Sequence, residues 1–374
     1  MGHATRCIPI IKGLLSLNCE VIIAATGDQK ILLQDEFPLL AFLELPGYDI
    51  KYGKNRALTL LKIISSIPKI LIHIKREKAW LAAFLKRERV DAVISDNRYG
   101  LYNKGVFSVF MTHQLLIRTG FGQRADRMLQ RMQYRMLKRF SLCWVPDREE
   151  NTEGNVYSLA GELSHPQELP VIPVRYIGLL SRFEKKKKGE GGEAQECDLL
   201  ILLSGPEPQR TIFEKTILSQ LGDYKGKTIL VRGLPGEGKD GADEASRSSA
   251  GPEKDNPLAA GLIVYAHLGS DALNVIVCNA GLVLSRPGYS SVMDLEKLEK
   301  KCIFVPTPGQ TEQEYLGAYL GRRRLALCLP QEGFSLAAAV EAAEYFPFAR
   351  AGVEGSDLLP AAIGELIGLL PTDS

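Results

Sequence analysis

Short apolar runs recur along the chain, each ending in a glycine-containing or polar turn and each followed by a stretch with apolar positions at helical spacing. In the first half the runs predict strands at Val21–Ala24, Leu40–Leu45, Ala92–Ser95, Val106–Met111 and Leu142–Val145, with helices between them. In the second half they predict strands at Asp198–Leu203, Lys227–Arg232, Leu262–Ala266, Leu282–Ser285, Cys302–Val305 and Leu325–Cys328, and a closing helix at Phe334–Phe346. Strand and helix alternating in this way favours a parallel α/β architecture. Two low-complexity segments, Glu184–Glu196 with its Lys185–Lys188 run and Gly236–Asn256, cannot bury a core and are expected to be loops. The most hydrophobic run, Leu58–Ile74, is broken by Lys62, Pro68 and Lys69 below membrane-spanning length.

Composition then sets the scale. At 374 residues and 45% apolar side chains the chain exceeds what one core usually serves and can fill two. A net charge of +2 gives no bulk attraction to nucleic acid. Seven cysteines with no CxxC spacing read as reduced core residues of a cytosolic protein, neither disulfides nor zinc ligands.

The densest chemistry lies in Ser285–Ala318. A strand ends at Ser285, Gly288 with Ser290 and Ser291 opens a helix, and Asp294 falls about one turn in. A helix N-terminus is thereby aimed at the carboxyl end of a strand, where backbone N–H groups favour phosphate, and an acidic group there can accept from a ribose diol. The next strand leads through a Pro/Gly turn into Gln310, Glu312, Gln313 and Glu314, donors and acceptors suited to sugar hydroxyls.

At these residues the chain resembles the GT-B glycosyltransferases, especially the C-terminal domain of the group containing the peptidoglycan N-acetylglucosaminyltransferase, with its R-x-G-x-x-[ST]-x-x-[ED] pattern. Arg286, Gly288, Ser291 and Asp294 match that pattern, and Gln313 and Glu314 occupy the positions where the family contacts the donor sugar. Asp294 stands where Glu is usual and Glu314 replaces a Gln, which leaves the donor sugar open. The resemblance implies two Rossmann-like domains facing each other across a cleft: an acceptor-side domain at 1–177, a nucleotide-sugar donor domain at 178–345, and a tail at 346–374 returning to the first domain. It also implies that Ser204-Gly205, after the strand opening the second domain, approaches the donor diphosphate. Arg210 on the helix that follows is placed to neutralise its charge.

The first residues carry a second part of the resemblance. Gly2-His3 precedes an amphipathic helix expected at Cys7–Leu17, as in the family's G-x-G-H loop, whose His faces the acceptor hydroxyl. The strand that normally precedes this loop is absent: either the sequence starts late by about a strand and its loop, the favoured expectation, or this domain is damaged. Two further loops at strand ends belong to the same side: Asp96-Asn97-Arg98, and Thr112-His113-Gln114, which is similar to the family's acceptor-side His-Glu-Gln stretch.

The chemistry these residues suggest is inverting sugar transfer from a nucleotide-sugar, most simply UDP-linked, to an acceptor hydroxyl. His3 is ranked first as base with Asp96 orienting its imidazole; Asp96 as the base, or as a loop cap, is the alternative. Helix termini and Arg groups offset charge on the leaving diphosphate, with no metal and no cofactor called for. The segment Arg118–Phe140 reads as a basic amphipathic helix, with Arg124, Arg127, Arg131 and Arg135 on one face and Met128, Leu129, Met132, Met136 and Leu137 on another. Either it packs its Met/Leu face on the sheet, or it rests on an anionic membrane at the inner, cytoplasmic face and presents a lipid-linked acceptor. Two rival functions use the same scaffold: a nucleotide-sugar epimerase, and a non-catalytic nucleotide-sugar binding protein.

Overall fold

The computed structural model describes residues 2–45, 56–151, 156–185, 196–234, 261–352 and 358–370. The predicted Gly236–Asn256 loop, and all but the ends of Glu184–Glu196, lie outside them. The chain divides into two compact units, His3–Leu180 together with Gly352–Ser374, and Ser181–Ala351.

The first unit runs α1 (Gly2–Ser16), β1 (Ile22–Ala25), α2 (Gly27–Glu36), β2 (Ala41–Glu44), α3 (Arg56–Phe84), β3 (Ala92–Asp96), β4 (Phe107–Met111), α4 (Gln123–Leu137), β5 (Leu142–Val145) and β6 (Val174–Tyr176). All its strand pairs are parallel, in two sheets: β1 with β2, and β3-β4-β5-β6 in sequential order. α1 buries Ala4, Ile8 and Ile11, spaced by four and three residues, against Ile23, Ala25, Leu32, Leu33 and Phe37. Around β4 and β5 the core is aromatic, Phe110 lying 5.0 Å from Phe140 and 4.7 Å from Tyr99, ring centre to ring centre.

Three features differ from the sequence expectation. α1 starts at Gly2, so His3 and Arg6 lie in its first turns and not in a loop. β6 falls in a segment read as the domain connection; a strand of three residues offers too little pattern to detect. α4 is shorter than expected because Gly120 and Gly122 take φ of 79° and 91°, outside helical backbone, and Asp126 ties that turn by accepting from Thr119 N at 2.7 Å and Thr119 Oγ1 at 2.6 Å. Of the Met/Leu face of α4 only part turns inward. Asp126, Gln130, Gln133 and Leu137 are buried, while Met128 is 75% and Met132 39% exposed. The glutamines face inward because neighbouring loop carbonyls need donors: Gln133 Nε2 donates to Gln114 O at 2.6 Å.

The second unit runs β7 (Cys197–Leu202), α5 (Gln209–Leu218), β8 (Thr228–Val231), β9 (Leu262–Tyr265), α6 (Ser270–Asn279), β10 (Ala280–Ser285), α7 (Tyr289–Lys297), β11 (Cys302–Phe304), α8 (Thr311–Arg322), β12 (Leu327–Cys328) and α9 (Leu336–Tyr345). Its single sheet is parallel throughout, in the order β12-β11-β10-β7-β8-β9. Leu199, Ile201, Leu230, Leu284 and Ile303 from four strands meet Phe213 and Ile217 of α5 and Leu336 and Ala339 of α9 in one core. Strands covered on both faces explain why they read as unbroken apolar runs.

After this unit the chain returns to the first through α10 (Leu359–Leu369). A Cβ on Gly13 of α1 would lie 2.6 Å from Ile363 Cδ1, so the glycine permits close helix contact, and Arg175 Nε donates to both Glu365 oxygens at 3.0 Å.

Candidate functional site

In the second unit the strand order reverses between β7 and β10. The chain proceeds outward through β8 and β9, then crosses back to build β10, β11 and β12 on the other side. In an open parallel sheet the loops at such a switch point part to leave a crevice at the strands' carboxyl ends, the usual place for a ligand. The loop Ser204–Pro208 after β7 and the turn Arg286–Gly288 after β10 flank it, and the loop 305–310 after neighbouring β11 adjoins it. α5, α7 and α8 each begin at one of these loops, bringing three helix N-termini to one edge.

The predicted residues take distinct roles there. Gly205 is exposed with φ of 108°, and a Cβ on it would meet nothing within 4 Å, so the loop is open to a ligand and needs glycine for its backbone. Gly288 caps α7 in extended backbone, and Ser290 and Ser291 are half-buried in its first turn. Gln313 and Glu314 hold the α8 loop from within: Gln313 Oε1 accepts from Thr307 N and Glu314 Oε1 from Gly309 N, each at 2.8 Å. Two buried oxygens in that loop, Thr307 Oγ1 and Gln310 Oε1, have no partner among the described residues. Buried polar atoms are almost always paired, and these two are suited to ligand hydroxyls. Gln310 was legible in the sequence and Thr307 was not.

Three predicted ligand contacts are committed elsewhere. Arg210, expected to neutralise phosphate, is 7% exposed and already paired with Glu207 at 2.6 Å and Glu214 at 2.8 Å; Glu214 also takes Arg232 at 2.5 Å. Arg286 is 1% exposed. Its Nη1 donates to Val305 O at 2.8 Å and Pro306 O at 3.1 Å, its Nη2 to Gln331 Oε1 at 2.5 Å and Gln209 O at 3.4 Å, and its guanidinium lies 4.1 Å from the Phe213 ring centre. Burial lowers it to about 10. It braces the crevice loops against one another. Asp294, expected on a ribose, is buried and accepts from Ser181 Oγ at 2.7 Å and Arg182 N at 3.3 Å, with Arg182 Nε at 3.8 Å. Burial raises its carboxyl above the ordinary value, against the pull of Arg182 and Ser181.

In the first unit the predicted base and its partner do meet. His3 Nδ1 lies 3.0 Å from Asp96 Oδ2. Asp96 ends β3 and His113 follows the adjacent β4, so the parallel pairing sets their loops side by side. The group that joins them is Arg6, which sequence reasoning did not single out. It is 2% exposed, donates from Nε to Asp96 Oδ2 at 3.0 Å and from Nη2 to Asp96 Oδ1, and contacts His3 Nδ1 at 2.8 Å and His113 Nδ1 at 3.1 Å. The i, i+3 spacing of His3 and Arg6 was the available signal, legible only once the helix starts at Gly2. Burial would raise the Asp96 carboxyl, but Arg6 and then His3 outweigh it and hold it well below the carboxylate range. An acid held so low is a poor proton acceptor, which weighs against Asp96 as the base.

The remaining acceptor-side residues are structural or exposed. Arg98 Nη1 donates to the fully buried Glu77 at 3.0 Å, and Asn97 is exposed with φ of 54°. Thr112 is buried, its Oγ1 accepting from Gln114 N at 3.1 Å. All seven cysteines are free. Among the described residues no group of three or more His, Cys, Asp or Glu is placed to hold a metal, and no helix is long and apolar enough to cross a membrane.

No protein-family model matches the chain, and no curated protein matches it. Solved structures do. The glycotransferase of kitacinnamycin superposes with a TM-score of 0.63 at 12% identity, over 99% of this chain and 96% of the other. The spinosyn rhamnosyltransferase SpnG gives 0.56 at 15% identity, over 98% and 97%. The glycosyltransferase VinC, solved in complex with dTDP, gives 0.52 at 12%, over 99% and 93%. The chain therefore has the GT-B glycosyltransferase fold, two Rossmann-like units in one polypeptide. The narrower likeness to the peptidoglycan N-acetylglucosaminyltransferase group rests on the sequence motif alone.

Proposed function

We propose that the chain is a glycosyltransferase that takes a sugar from a nucleoside diphosphate donor and moves it to an acceptor hydroxyl with inversion. The observation that carries this is the switch-point crevice of the second unit, where an exposed glycine at positive φ, three helix N-termini and two buried oxygens without described partners share one edge. Helix N-termini favour the diphosphate, and the Thr307 and Gln310 oxygens suit donor hydroxyls. His3, oriented by Asp96, is the base. UDP is the first nucleotide to test, and dTDP, found with VinC, the second. Calorimetric titration with both is the test. Binding that is lost in Gly205→Val, whose side chain cannot follow φ of 108°, is expected; no binding of either nucleotide sinks the reading. No observation favours the epimerase or the silent binding protein.

The acceptor reading is finer. α4 exposes Arg124, Arg127, Arg131 and Arg135 beside Met128 and Met132, and its one acidic residue, Asp126, is buried. A face of arginines interleaved with outward methionines fits an anionic bilayer, each cation contributing about 1 kcal/mol near such a surface. An enzyme working at the cytoplasmic face of a membrane on a lipid-linked hydroxyl is the setting this implies. Sedimentation with phosphatidylglycerol-containing vesicles, weakened in Arg127→Glu/Arg131→Glu and absent with phosphatidylcholine alone, is expected. Equal recovery with both vesicle types overturns the membrane reading and leaves the donor site untouched.

A further inference from the structure

Arg6 sits at the centre of the first unit's polar cluster, and its contacts constrain the protonation of each neighbour. A guanidinium has five N–H donors, no acceptor, and stays charged in proteins. Any ring nitrogen that takes a hydrogen bond from it must therefore offer a lone pair. His113 Nδ1, 3.1 Å from Nη1, is such a nitrogen, so the neutral ring carries its proton on Nε2. Asp96 receives Nε on one oxygen and Nη2 on the other, a forked pair that keeps it ionised. Cys7, the next residue of α1, has Sγ 3.8 Å from Asp96 Oδ2, and burial followed by the Asp96 charge pushes its thiol up, so it stays protonated.

His3 is different. Its Nδ1 lies 2.8 Å from Arg6 Nη2 and 3.0 Å from Asp96 Oδ2. The first contact is a hydrogen bond only if Nδ1 is bare, the second only if Nδ1 carries a hydrogen. When Nδ1–H donates to Asp96, Nε2 holds the lone pair and can accept a proton; when Nδ1 accepts from Arg6, Nε2 is already protonated. The ring is partly open to solvent, its side chain 46% exposed, whereas His113 is 7% exposed.

We infer that Arg6 is a positioning residue that withholds the proton-accepting role from Asp96 and His113 and leaves it to His3. The inference rests on the glycosyltransferase reading for the reaction it serves, but its geometry is testable without any substrate. During turnover the acceptor's O–H bond breaks as its oxygen bonds to the anomeric carbon. The proton passes to His3 Nε2, while Nδ1–H remains on Asp96. The bond from the anomeric carbon to the diphosphate oxygen breaks with its electron pair on the leaving group. Arg6 acts on the transfer only through the imidazoles and the carboxylate.

The test is histidine tautomer state in the full chain labelled with nitrogen-15, read from two-bond proton–nitrogen correlations at neutral pH. With five histidines in the sequence, His3→Gln and His113→Gln assign the two signals. Wild-type His113 is expected to show the proton on Nε2 alone. Arg6→Met is expected to mix its tautomers, and so is Arg6→Lys, which keeps the charge beside Asp96 but cannot fork to three partners. A proton on His113 Nδ1 in the wild type overturns the inference, as does an unchanged pattern in either folded variant. Because the wild-type spectrum decides by itself, a variant that fails to fold does not protect the idea. Release of UDP from UDP-N-acetylglucosamine with water as the acceptor, its O–H giving the proton to His3, is the second arm. Arg6→Lys should lose about a hundredfold in kcat with KM within about threefold, as expected when proton transfer and not donor binding is impaired. A wild type that releases no UDP and binds neither nucleotide defeats the enzyme reading, and the spectra still decide Arg6.

Discussion

Arg286→Met separates two roles that the sequence motif cannot distinguish. If Arg286 is a brace, its removal leaves the carbonyls of Val305 and Pro306 and the amide oxygen of Gln331 without their donor in a site that is 1% exposed. Each buried acceptor left alone costs about 1–3 kcal/mol, roughly 6 kcal/mol for three. Against this stands the recovered cost of burying the cation. Its lowering from 12.5 to about 10 corresponds to about 3 kcal/mol at about 1.4 kcal/mol per unit. The net loss is then about 3 kcal/mol, and for a unit of this size the unfolding midpoint should fall by roughly 6–12 °C. Differential scanning calorimetry of the whole chain should show the transition of Ser181–Ala351 moving while that of the other unit stays. Arg286→Lys should fall almost as far, since one ammonium cannot bridge Val305 O, Pro306 O and Gln331. UDP affinity measured well below the midpoint should change only a few-fold. An unmoved transition with UDP affinity down tenfold or more would refute the brace and put Arg286 on the ligand.

Asp96→Asn should destabilise the first unit by about 3 kcal/mol at pH 7, because Arg6 is left buried without its carboxylate. The Asp96 carboxyl is held below its unfolded value, so this stability is present above about pH 4 and fades as pH falls below it; melting curves of both proteins should converge on acidification. Asp294→Asn should behave oppositely. Burial raises that carboxyl, its ionised form costs stability at pH 7, and an amide oxygen still accepts from Ser181, so the variant should melt no lower than wild type, the gap closing at acid pH; a clear drop in midpoint at pH 7 counts against this. Thr307→Val removes a buried hydroxyl with no described partner and should stabilise by about 1 kcal/mol while weakening retention of a UDP-sugar relative to UDP itself; equal losses for both ligands would take Thr307 out of sugar contact.

What the sequence disclosed follows the physics of buried parallel strands. β5 was placed to the residue because its four residues are all buried in a continuous apolar run, and β9, a half-buried edge strand, to within one because Leu262-Ile263-Val264-Tyr265 is of strand-favouring residues. β6 was invisible because three residues, an exposed Arg175 between two half-buried neighbours, carry too little periodicity. The inward glutamines of α4 went unread for a different reason: they answer to carbonyls from elsewhere in the chain, which no helical period encodes. At the site, Gly205, Gln310 and the His3–Asp96 pair were legible as residue types in turns. Arg210, Arg286 and Asp294 were legible as conspicuous charges, but whether a charge meets a ligand or a neighbour depends on long-range packing. Arg6 was passed over because its partners lie 90 and 107 residues away.

The return of α10 to the first unit means that one unit is encoded as an interruption of the other. On a ribosome, most of Ser181–Ala351 emerges while the first unit still waits for its last helix, although almost all of that unit left the tunnel earlier. Until Ile363 reaches Gly13 and Glu365 reaches Arg175, the nascent first unit exposes the α1 surface that α10 will cover. The unit begun first is therefore the unit finished last, and that interval is when a chaperone or a protease has its best access to the helix that carries His3 and Arg6.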